Sequence, residues 1–412
     1  MHFFKAYIDP GTGSMLFAVL FSVIGALFYL ARGLFVKVKF IFHGGKKTAT
    51  NENKINIVIF SDDKRYWSVF NPICREFDKR GVDVVYLTAS PDDPALENNY
   101  PHIDAQFIGT GNKAFSKLNF LNARILISTT PGLDVYQWKR SKNVDYYVHV
   151  LHAACDVTAY RMFGIDYYDA VLVSGDYQIN DIRELEQLRN LPEKELVKVG
   201  VPYMDEMKKR LETSDTEKNS ETTVLLAPSW GESGIFKRFG NEMIDALLKT
   251  GYHIIIRPHP QSFISEKDMM DAMIEKYPDS EQIEWNRDAD NFEVLNKSDI
   301  IISDFSGVIY DFCLVYDKPV IYTDTDFDDS PYDNWWLKRP LWTLTVLPRL
   351  GKQVNKENLG NLKSIIDECL NSSEYNEARA EVRNETWAYI GEGSKRTVDY
   401  ILKKEAELKE KQ

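Results

Sequence analysis

The sequence is poor in cysteine and has no excess of positive charge, and both features exclude classes of protein. Its four cysteines are far apart and form no CxxC pair, which argues against a structural zinc site or a disulfide framework and favours reduced thiols in a cytoplasm. The formal net charge of -12 argues against a general nucleic-acid binder, which needs a dominant basic surface. Anionic substrates are still allowed, because a phosphate site needs only local hydrogen-bond donors.

Long apolar runs are also scarce, and the one that occurs lies near the N-terminus. Met15–Leu30 contains no charged residue, and the apolar run resumes after Arg32. A helix needs about 20 apolar residues to span a bilayer, so residues 14–36 are just long enough to do so. One alternative is an interfacial helix with Arg32 reaching the membrane edge. The other is a secretory signal, against which Asp9 and the lack of a small-x-small cleavage site argue.

The charges that follow this run predict its orientation. No acidic residue occurs between Asp9 and Glu52, whereas several cations follow the run: Arg32, Lys37, Lys39, Lys46 and Lys47. The positive-inside rule therefore predicts a single-pass protein of the cell membrane, with its large C-terminal part in the cytoplasm. The same lysines can lie on anionic lipid head groups. Residues 1–50 are accordingly predicted to be a membrane anchor and a basic juxtamembrane segment.

The rest of the chain alternates short β-branched runs with longer amphipathic stretches, which is typical of doubly wound parallel sheets. The predicted strands are Ile55–Phe60, Val82–Leu87, Arg124–Ser128, Tyr146–Leu151, Ala170–Ser174, Thr223–Ala227, Tyr252–Arg257, Asp299–Ser303 and Pro319–Thr323. The pattern predicts an α/β fold with two Rossmann-like domains facing a cleft, at residues 51–207 and 223–385. A charged linker is predicted at 208–222 and a C-terminal helix at 386–412.

In open α/β sheets, ligands bind beyond the carboxyl ends of the strands, and the segment IISDFSG lies at such a place. Ser303, Asp304, Ser306 and Gly307 join a predicted strand to a predicted helix. Free backbone N–H groups at this turn favour an anion, to which Ser306 adds a hydroxyl donor. The alternative is that Asp304 or Ser306 only caps the helix.

A second strand end carries the rigid turn RPHP, at Arg257–Pro260. Arg257 can clamp phosphate oxygens, and His259 can donate to a diphosphate or protonate a leaving phosphate. The alternative is an arginine and a histidine that are merely exposed on a stiff turn. Both segments lie in the same half of the chain, and each follows the carboxyl end of a predicted strand. Together they favour a phosphate site.

The first half contributes a histidine at the end of a strand, His152 in the segment LHAACD. We interpret His152 as a general base that deprotonates an acceptor hydroxyl, with Asp134 or Asp156 as candidates to orient it. The alternative is a hydrogen-bonded cleft histidine without a catalytic role.

Carboxylates are concentrated after the strand at Pro319–Thr323. Asp324 and Asp326 have the DxD spacing with which some transferases hold a divalent metal. In a two-domain cleft, such acids meet donor hydroxyls or face solvent, so Asp326 is assigned as a candidate polyol contact and no metal is expected.

These motifs, in this order, resemble the CDP-glycerol glycerophosphotransferase family of teichoic-acid primases and polymerases. The resemblance extends over roughly residues 55–405. The family has a GT-B-like catalytic region with a histidine motif in its first domain, then RxHP, then SDxSS before a helix, and DGxxSxR before the final helix. The matching segments are LHAACD with His152, Arg257–Pro260, Ser303–Gly307 and Gly391–Arg396.

The resemblance implies roles for these residues. His152 corresponds to the proposed base, Arg257 and His259 contact or activate the donor phosphates, and Arg396 adds a phosphate or interdomain contact. The CDP-polyol site is then lined by Ser303, Asp304 and Ser306. Two departures concern the acceptor and the polyol more than the chemistry: Ala153, Ala154 and Cys155 replace the family's usual residues after the histidine, and Gly307 replaces a serine.

The implied reaction is the attack of an acceptor hydroxyl on the β-phosphorus of a CDP-polyol, with release of CMP and without a cofactor. The expected partners are a CDP-polyol, a lipid-linked or polymer acceptor and membrane lipids, but no nucleic acid. Two other functions stay open. One is a glycosyltransferase that uses a nucleotide sugar on a membrane lipid, and the other is a membrane-anchored scaffold that has lost catalysis.

Overall fold

The structure is a computed structural model that describes residues 54–214, 221–288 and 290–411. Within these residues the chain builds two parallel sheets, one of seven strands and one of six. The predicted α/β architecture with two parallel sheets is therefore confirmed. The anchor predicted within residues 1–50 and the lysines after it lie outside the described residues. Among the residues that the structure describes, no helix combines the length and the apolar composition of a membrane span.

The first sheet contains strands β1 to β7 in the order β3-β2-β1-β4-β5-β6-β7. Their bounds are Ile55–Ser61, Val84–Thr88, Ile103–Phe107, Ala123–Ser128, Val144–Val150, Ala170–Val173 and Glu195–Lys198. The α-helices of this half are Trp67–Lys79, Asn112–Leu118, Asp176–Arg189 and Pro202–Thr213. The last of these covers the start of the stretch 208–222 that the sequence predicts to be a linker.

The second sheet contains strands β8 to β13 in the order β10-β9-β8-β11-β12-β13. Their bounds are Thr223–Leu226, His253–Ile256, Ile283–Trp285, Ile300–Ser303, Val320–Thr323 and Gly351–Val354. The α-helices between them are Ile235–Phe239, Asn241–Leu248, Ser262–Ser265, Lys267–Lys276, Phe292–Lys297, Val308–Tyr310 and Trp342–Leu350, and a π-helical turn spans Asp311–Val315. Three helices follow β13: Leu362–Asn371, Asn376–Thr386 and Gly393–Glu410.

The central strands of both sheets are buried on both faces because helices cover them. Ile254, Ile255 and Ile256 of β9 are fully buried, as are Ile300 to Ile302 of β11, and continuous β-branched runs of this kind are typical of covered parallel strands. The last helix returns to the first sheet, where Val398 and Ile401 join the core that contains Ile57 of β1. Residues from both ends of the chain thus build the first half.

Both strand orders have a topological switch point, where chain connections leave in opposite directions. In the first sheet it lies between β1 and β4, and in the second between β8 and β11. A crevice forms at such a point beyond the carboxyl ends of the strands, and ligands bind there. A ligand site is therefore expected at the segments that follow β1, β4, β8 and β11.

Candidate active site

The turn after β11 combines a buried carboxylate with free backbone donors. The N–H groups of Ser306, Gly307 and Val308 have no acceptor among the described residues. Ser306 is half-buried. Three successive free amides and a nearby hydroxyl are donors of the kind that bind phosphate oxygens.

Ser303 and Asp304 lie at the base of this turn and bind protein backbone. The Ser303 hydroxyl donates to the carbonyl of Ala227, at 2.5 Å. The fully buried Asp304 carboxylate accepts N–H groups from Ser229 at 3.0 Å and Ile235 at 3.1 Å, so it joins the turns after β8 and β11. The two residues therefore hold the switch point of the second sheet in shape.

The RPHP turn follows β9, the strand beside β8. Arg257 donates to the side chain of Asn286 and, at 2.9 Å, to the carbonyl of Asp288, so its guanidinium lies against the loop after β10. Burial lowers the pKa of Arg257. His259 accepts the Gln261 N–H at Nδ1, at 3.1 Å. Because Nδ1 is an acceptor, the ring hydrogen lies on Nε2, which can donate to a ligand.

Burial lowers the pKa of His259 to about 4, and the positive charge of Arg65 acts in the same direction. The imidazole is consequently neutral near pH 7. A neutral ring with its hydrogen on Nε2 suits hydrogen bonding to a phosphate oxygen better than it suits protonation of a leaving group.

His152 follows β5 in the first sheet and is half-buried. Its Nδ1 lies 3.0 Å from the Thr129 hydroxyl and 3.3 Å from the Tyr160 hydroxyl, which in turn lies 3.2 Å from Nε2 of His149. Nε2 of His152 has no hydrogen-bond partner in the described part of the chain. Burial lowers the pKa of His152 to about 4, with Arg65 again contributing. A neutral ring with Nδ1 held and Nε2 available has the geometry of a proton acceptor.

The two aspartates considered as partners of His152 lie elsewhere. The Asp156 carboxylate accepts the N–H groups of Trp342 at 2.8 Å and Thr343 at 2.6 Å, so it caps the helix Trp342–Leu350 of the second half. Asp134 accepts the N–H of Arg140, at 3.4 Å. Hydroxyl groups therefore hold His152 where the sequence suggested a carboxylate.

The His152 loop and the turn after β11 are in direct contact. A Cβ atom built on Gly307 would lie 3.2 Å from Cys155 Sγ and 3.9 Å from the Ala153 side chain. The two departures from the family motifs therefore face each other, and the missing side chain at Gly307 makes room for the Cys155 thiol. This contact joins the loop of the candidate base in the first half to the turn after β11 in the second.

Two further predicted site residues lie apart from this contact. The Arg396 guanidinium binds Glu392 at 2.8 Å and stacks 3.4 Å from the centre of the Tyr389 ring. Asp326 is exposed, and its carbonyl accepts the Ser233 hydroxyl at 2.7 Å. The neighbouring Asp324 pairs with Arg238 at 2.6 Å.

Sequence reasoning missed the residues that the first switch point contributes. Arg65 lies in a short 3-10 turn, Lys64–Tyr66, after β1, and the Tyr66 ring lies 5.0 Å from the His152 ring. Thr129 follows β4 directly. Both follow strands that the sequence predicts, so the strand-end rule applied to Ile55–Phe60 and Arg124–Ser128 would have found them.

Comparisons with known proteins place this chain in a family. A profile of the family described as CDP-glycerol:poly(glycerophosphate) glycerophosphotransferase matches residues 120–403. A comparison with curated proteins finds no match. Among solved structures, wall teichoic acid polymerase TagF soaked with CDPG has a TM-score of 0.56 at 16% identity, covering 87% of this chain and 91% of that one.

The same fold occurs in proteins of other activities. UDP-GlcNAc 2-epimerase from Neisseria meningitidis bound to UDP-GlcNAc has a TM-score of 0.54 at 12% identity, covering 85% of this chain and 100% of that one. These structural likenesses show a GT-B-like fold, whereas the profile match extends over well over half of the chain and includes His152, RPHP, SDFSG and Arg396. The chain belongs to the CDP-glycerol:poly(glycerophosphate) glycerophosphotransferase family and is a transferase of that type.

Proposed function

We propose that this protein transfers glycerol phosphate from CDP-glycerol to a hydroxyl group of a teichoic-acid-like or other cell-surface polymer or lipid precursor, and releases CMP. Family membership supports the donor and the type of reaction. The contact of the Cys155 thiol with Gly307 is the observation that carries the mechanism, because it brings the His152 loop to the free amides of the turn after β11.

In the proposed step, the acceptor oxygen forms a bond with the β-phosphorus of CDP-glycerol. The bond between that phosphorus and the oxygen bridging to the α-phosphate breaks, and CMP leaves with the bridging oxygen. The proton of the acceptor hydroxyl passes to Nε2 of His152, whose Nδ1 is held by Thr129 and Tyr160. His152 is neutral before the step, as a base must be.

The second half supplies the groups that hold the donor. The free N–H groups of Ser306, Gly307 and Val308 bind the oxygens of the transferred phosphoryl group, and the Ser306 hydroxyl adds a donor. His259 donates from Nε2 to the diphosphate, and Arg257 adds positive charge at the same sheet edge. Ser303 and Asp304 act through the shape of the turn, because backbone groups occupy their side chains.

We also propose a division of labour along the chain. The first domain, residues 51–207, receives the acceptor, and the second, residues 223–385, binds the donor. Residues 1–50 anchor the enzyme with these domains at the cytoplasmic face of the membrane, where a tether raises the effective concentration near a lipid-linked acceptor. Release of full-length protein by salt or carbonate washing of membranes would contradict a spanning anchor.

A donor screen with purified, detergent-solubilised protein tests the proposed function. CDP-glycerol, CDP-ribitol and UDP-sugars are offered in turn with a membrane-lipid fraction, and nucleotide release is measured. We expect CMP from CDP-glycerol and no nucleoside diphosphate from the UDP-sugars. Release of UDP without CMP would instead indicate glycosyl transfer, and no release from any donor would support a scaffold.

A further inference from the structure

The turn after β1 places a cation at the switch point of the first sheet, where the mechanism described above uses none. Arg65 follows strand β1, and β1 and β4 flank the crevice of that sheet. Its neighbour Tyr66 lies against the ring of His152, at 5.0 Å between ring centres. Arg65 therefore lies in the turn beside the crevice that carries the candidate base.

The hydrogen bonds of Arg65 leave most of its guanidinium available. Nε donates to Oδ1 of Asp63 at 2.9 Å, and the same carboxylate accepts the backbone N–H of Arg65, also at 2.9 Å. Nη1 and Nη2 have no hydrogen-bond partner in the described ranges, and the side chain is 48% exposed. One carboxylate thus fixes the direction of the group, whose central carbon lies 5.9 Å from the centre of the Tyr66 ring, while its terminal donors stay without a hydrogen bond there.

Arg65 is close enough to both candidate histidines for its charge to act on them, although they belong to different sheets. After burial, the charge of Arg65 is the next cause that lowers the pKa of His152, and the same holds for His259. Asp62 and Asp63 are the acids beside it. A cation near two neutral histidines, opposite a turn with free amides, is suited to an anion that binds between them.

We propose that Arg65 is a further catalytic residue, whose terminal nitrogens bind phosphate oxygens in the cleft from the side of the first sheet. The inference rests on the proposed function. The phosphate belongs either to the transferred group of CDP-glycerol or to the end of a phosphate-containing acceptor, and in both cases the planar guanidinium offers paired donors. Its charge offsets the negative charge that accumulates as the phosphoryl group moves.

The test compares Arg65→Gln and Arg65→Lys with a matched control, Lys64→Gln, in the full-length detergent-solubilised enzyme. Lys64 is the adjacent exposed cation and pairs with Asp92 outside the proposed machinery. We expect Arg65→Gln to lower kcat/KM by roughly 10²-fold, Arg65→Lys to lose less because the charge remains, and Lys64→Gln to stay within about twofold of the wild type.

Two binding measurements distinguish the sources of the phosphate. A weaker Kd for CDP-glycerol alone, measured by titration calorimetry, assigns Arg65 to the donor. An unchanged donor Kd with a raised KM for the acceptor assigns it to the acceptor. In either case the acid limb of the kcat/KM profile should move to higher pH in Arg65→Gln, because loss of the cation lets the pKa of His152 and of His259 rise.

Wild-type kcat/KM in Arg65→Gln would overturn the proposal, as would a loss of activity with unchanged Kd, KM and acid limb, since that pattern indicates only a structural role. Failure of the wild-type enzyme to release CMP would instead count against the proposed function itself.

Discussion

The contact between Gly307 and Cys155 allows a quantitative prediction about the interface between the two halves of the chain. Gly307 has φ -57 and ψ -22, a conformation that any L-residue adopts, so a side chain there meets no backbone penalty. Its Cβ would, however, lie 3.2 Å from Cys155 Sγ, which is closer than ordinary van der Waals contact. Forcing atoms into a packed site costs about 1–3 kcal/mol. Gly307→Ala should therefore reduce the free energy of unfolding, or weaken CDP-glycerol binding, by about that amount.

A double-mutant cycle assigns this cost to one contact. We expect Cys155→Ala to relieve most of the effect of Gly307→Ala, with a coupling free energy of about 1–2 kcal/mol from denaturant unfolding and from calorimetric titration with CDP-glycerol. Gly360→Ala is the matched control, because a Cβ there meets no atom within 4 Å. Additive effects of the two substitutions, or a Gly307→Ala protein with the same stability and CDP-glycerol affinity as Gly360→Ala, would show that this contact carries no such cost.

Three further predictions follow from other contacts. Asp304→Ala should lower the free energy of unfolding by about 3 kcal/mol in urea titrations, because the buried N–H groups of Ser229 and Ile235 lose their acceptor. As a control, Asp326→Ala at an exposed position should change the free energy of unfolding by less than about 0.5 kcal/mol. Asp156→Ala should cost about 1–2 kcal/mol through loss of the cap on Trp342–Leu350 and should also lower kcat; an unchanged unfolding curve would contradict that cap. Because His152 and His259 have a pKa of about 4, kcat/KM should persist below pH 6 and fall only as pH approaches 4; an acid limb at pH 6.5 would contradict this.

The same pKa shifts affect stability with a definite sign. The folded state prefers neutral His149 and His152, whose pKa values are about 3 and about 4, whereas the unfolded chain protonates histidine near 6.5. The unfolded state therefore binds more protons between these values, so this stabilisation is complete above pH 6.5 and is lost as pH falls through about 4 for His152 and about 3 for His149.

The central strands could be predicted from sequence because burial on both faces selects continuous apolar runs. The predicted strand Ile55–Phe60 corresponds to β1, which spans Ile55–Ser61. The predicted strand Asp299–Ser303 corresponds to β11, which spans Ile300–Ser303. The edge strand β3 was missed because its residues Asp104 to Phe107 are polar or partly exposed and lack such a run. An edge strand needs little apolar surface, so its sequence carries a weak signal.

The turn after β11 and the two histidines could be predicted as site residues because strand ends and motif residues are local features, and their roles stay predictions. The partners of His152 were not found, since Thr129 and Tyr160 reach it only after the chain folds. Asp156 was considered as one such partner, but its carboxylate instead caps the helix Trp342–Leu350, nearly two hundred residues away in sequence. Sequence spacing alone could not indicate contact over that separation.

A base at His152 is tested by the rate of CMP release from CDP-glycerol in the presence of acceptor, compared between wild type and His152→Ala. His102→Ala is the control, because His102 is a partly exposed histidine that pairs with Asp83 at 2.8 Å. We expect rapid release by the wild type and by His102→Ala, and a decrease of roughly 10²–10⁴-fold in His152→Ala. Equal rates in all three proteins would contradict a base at His152.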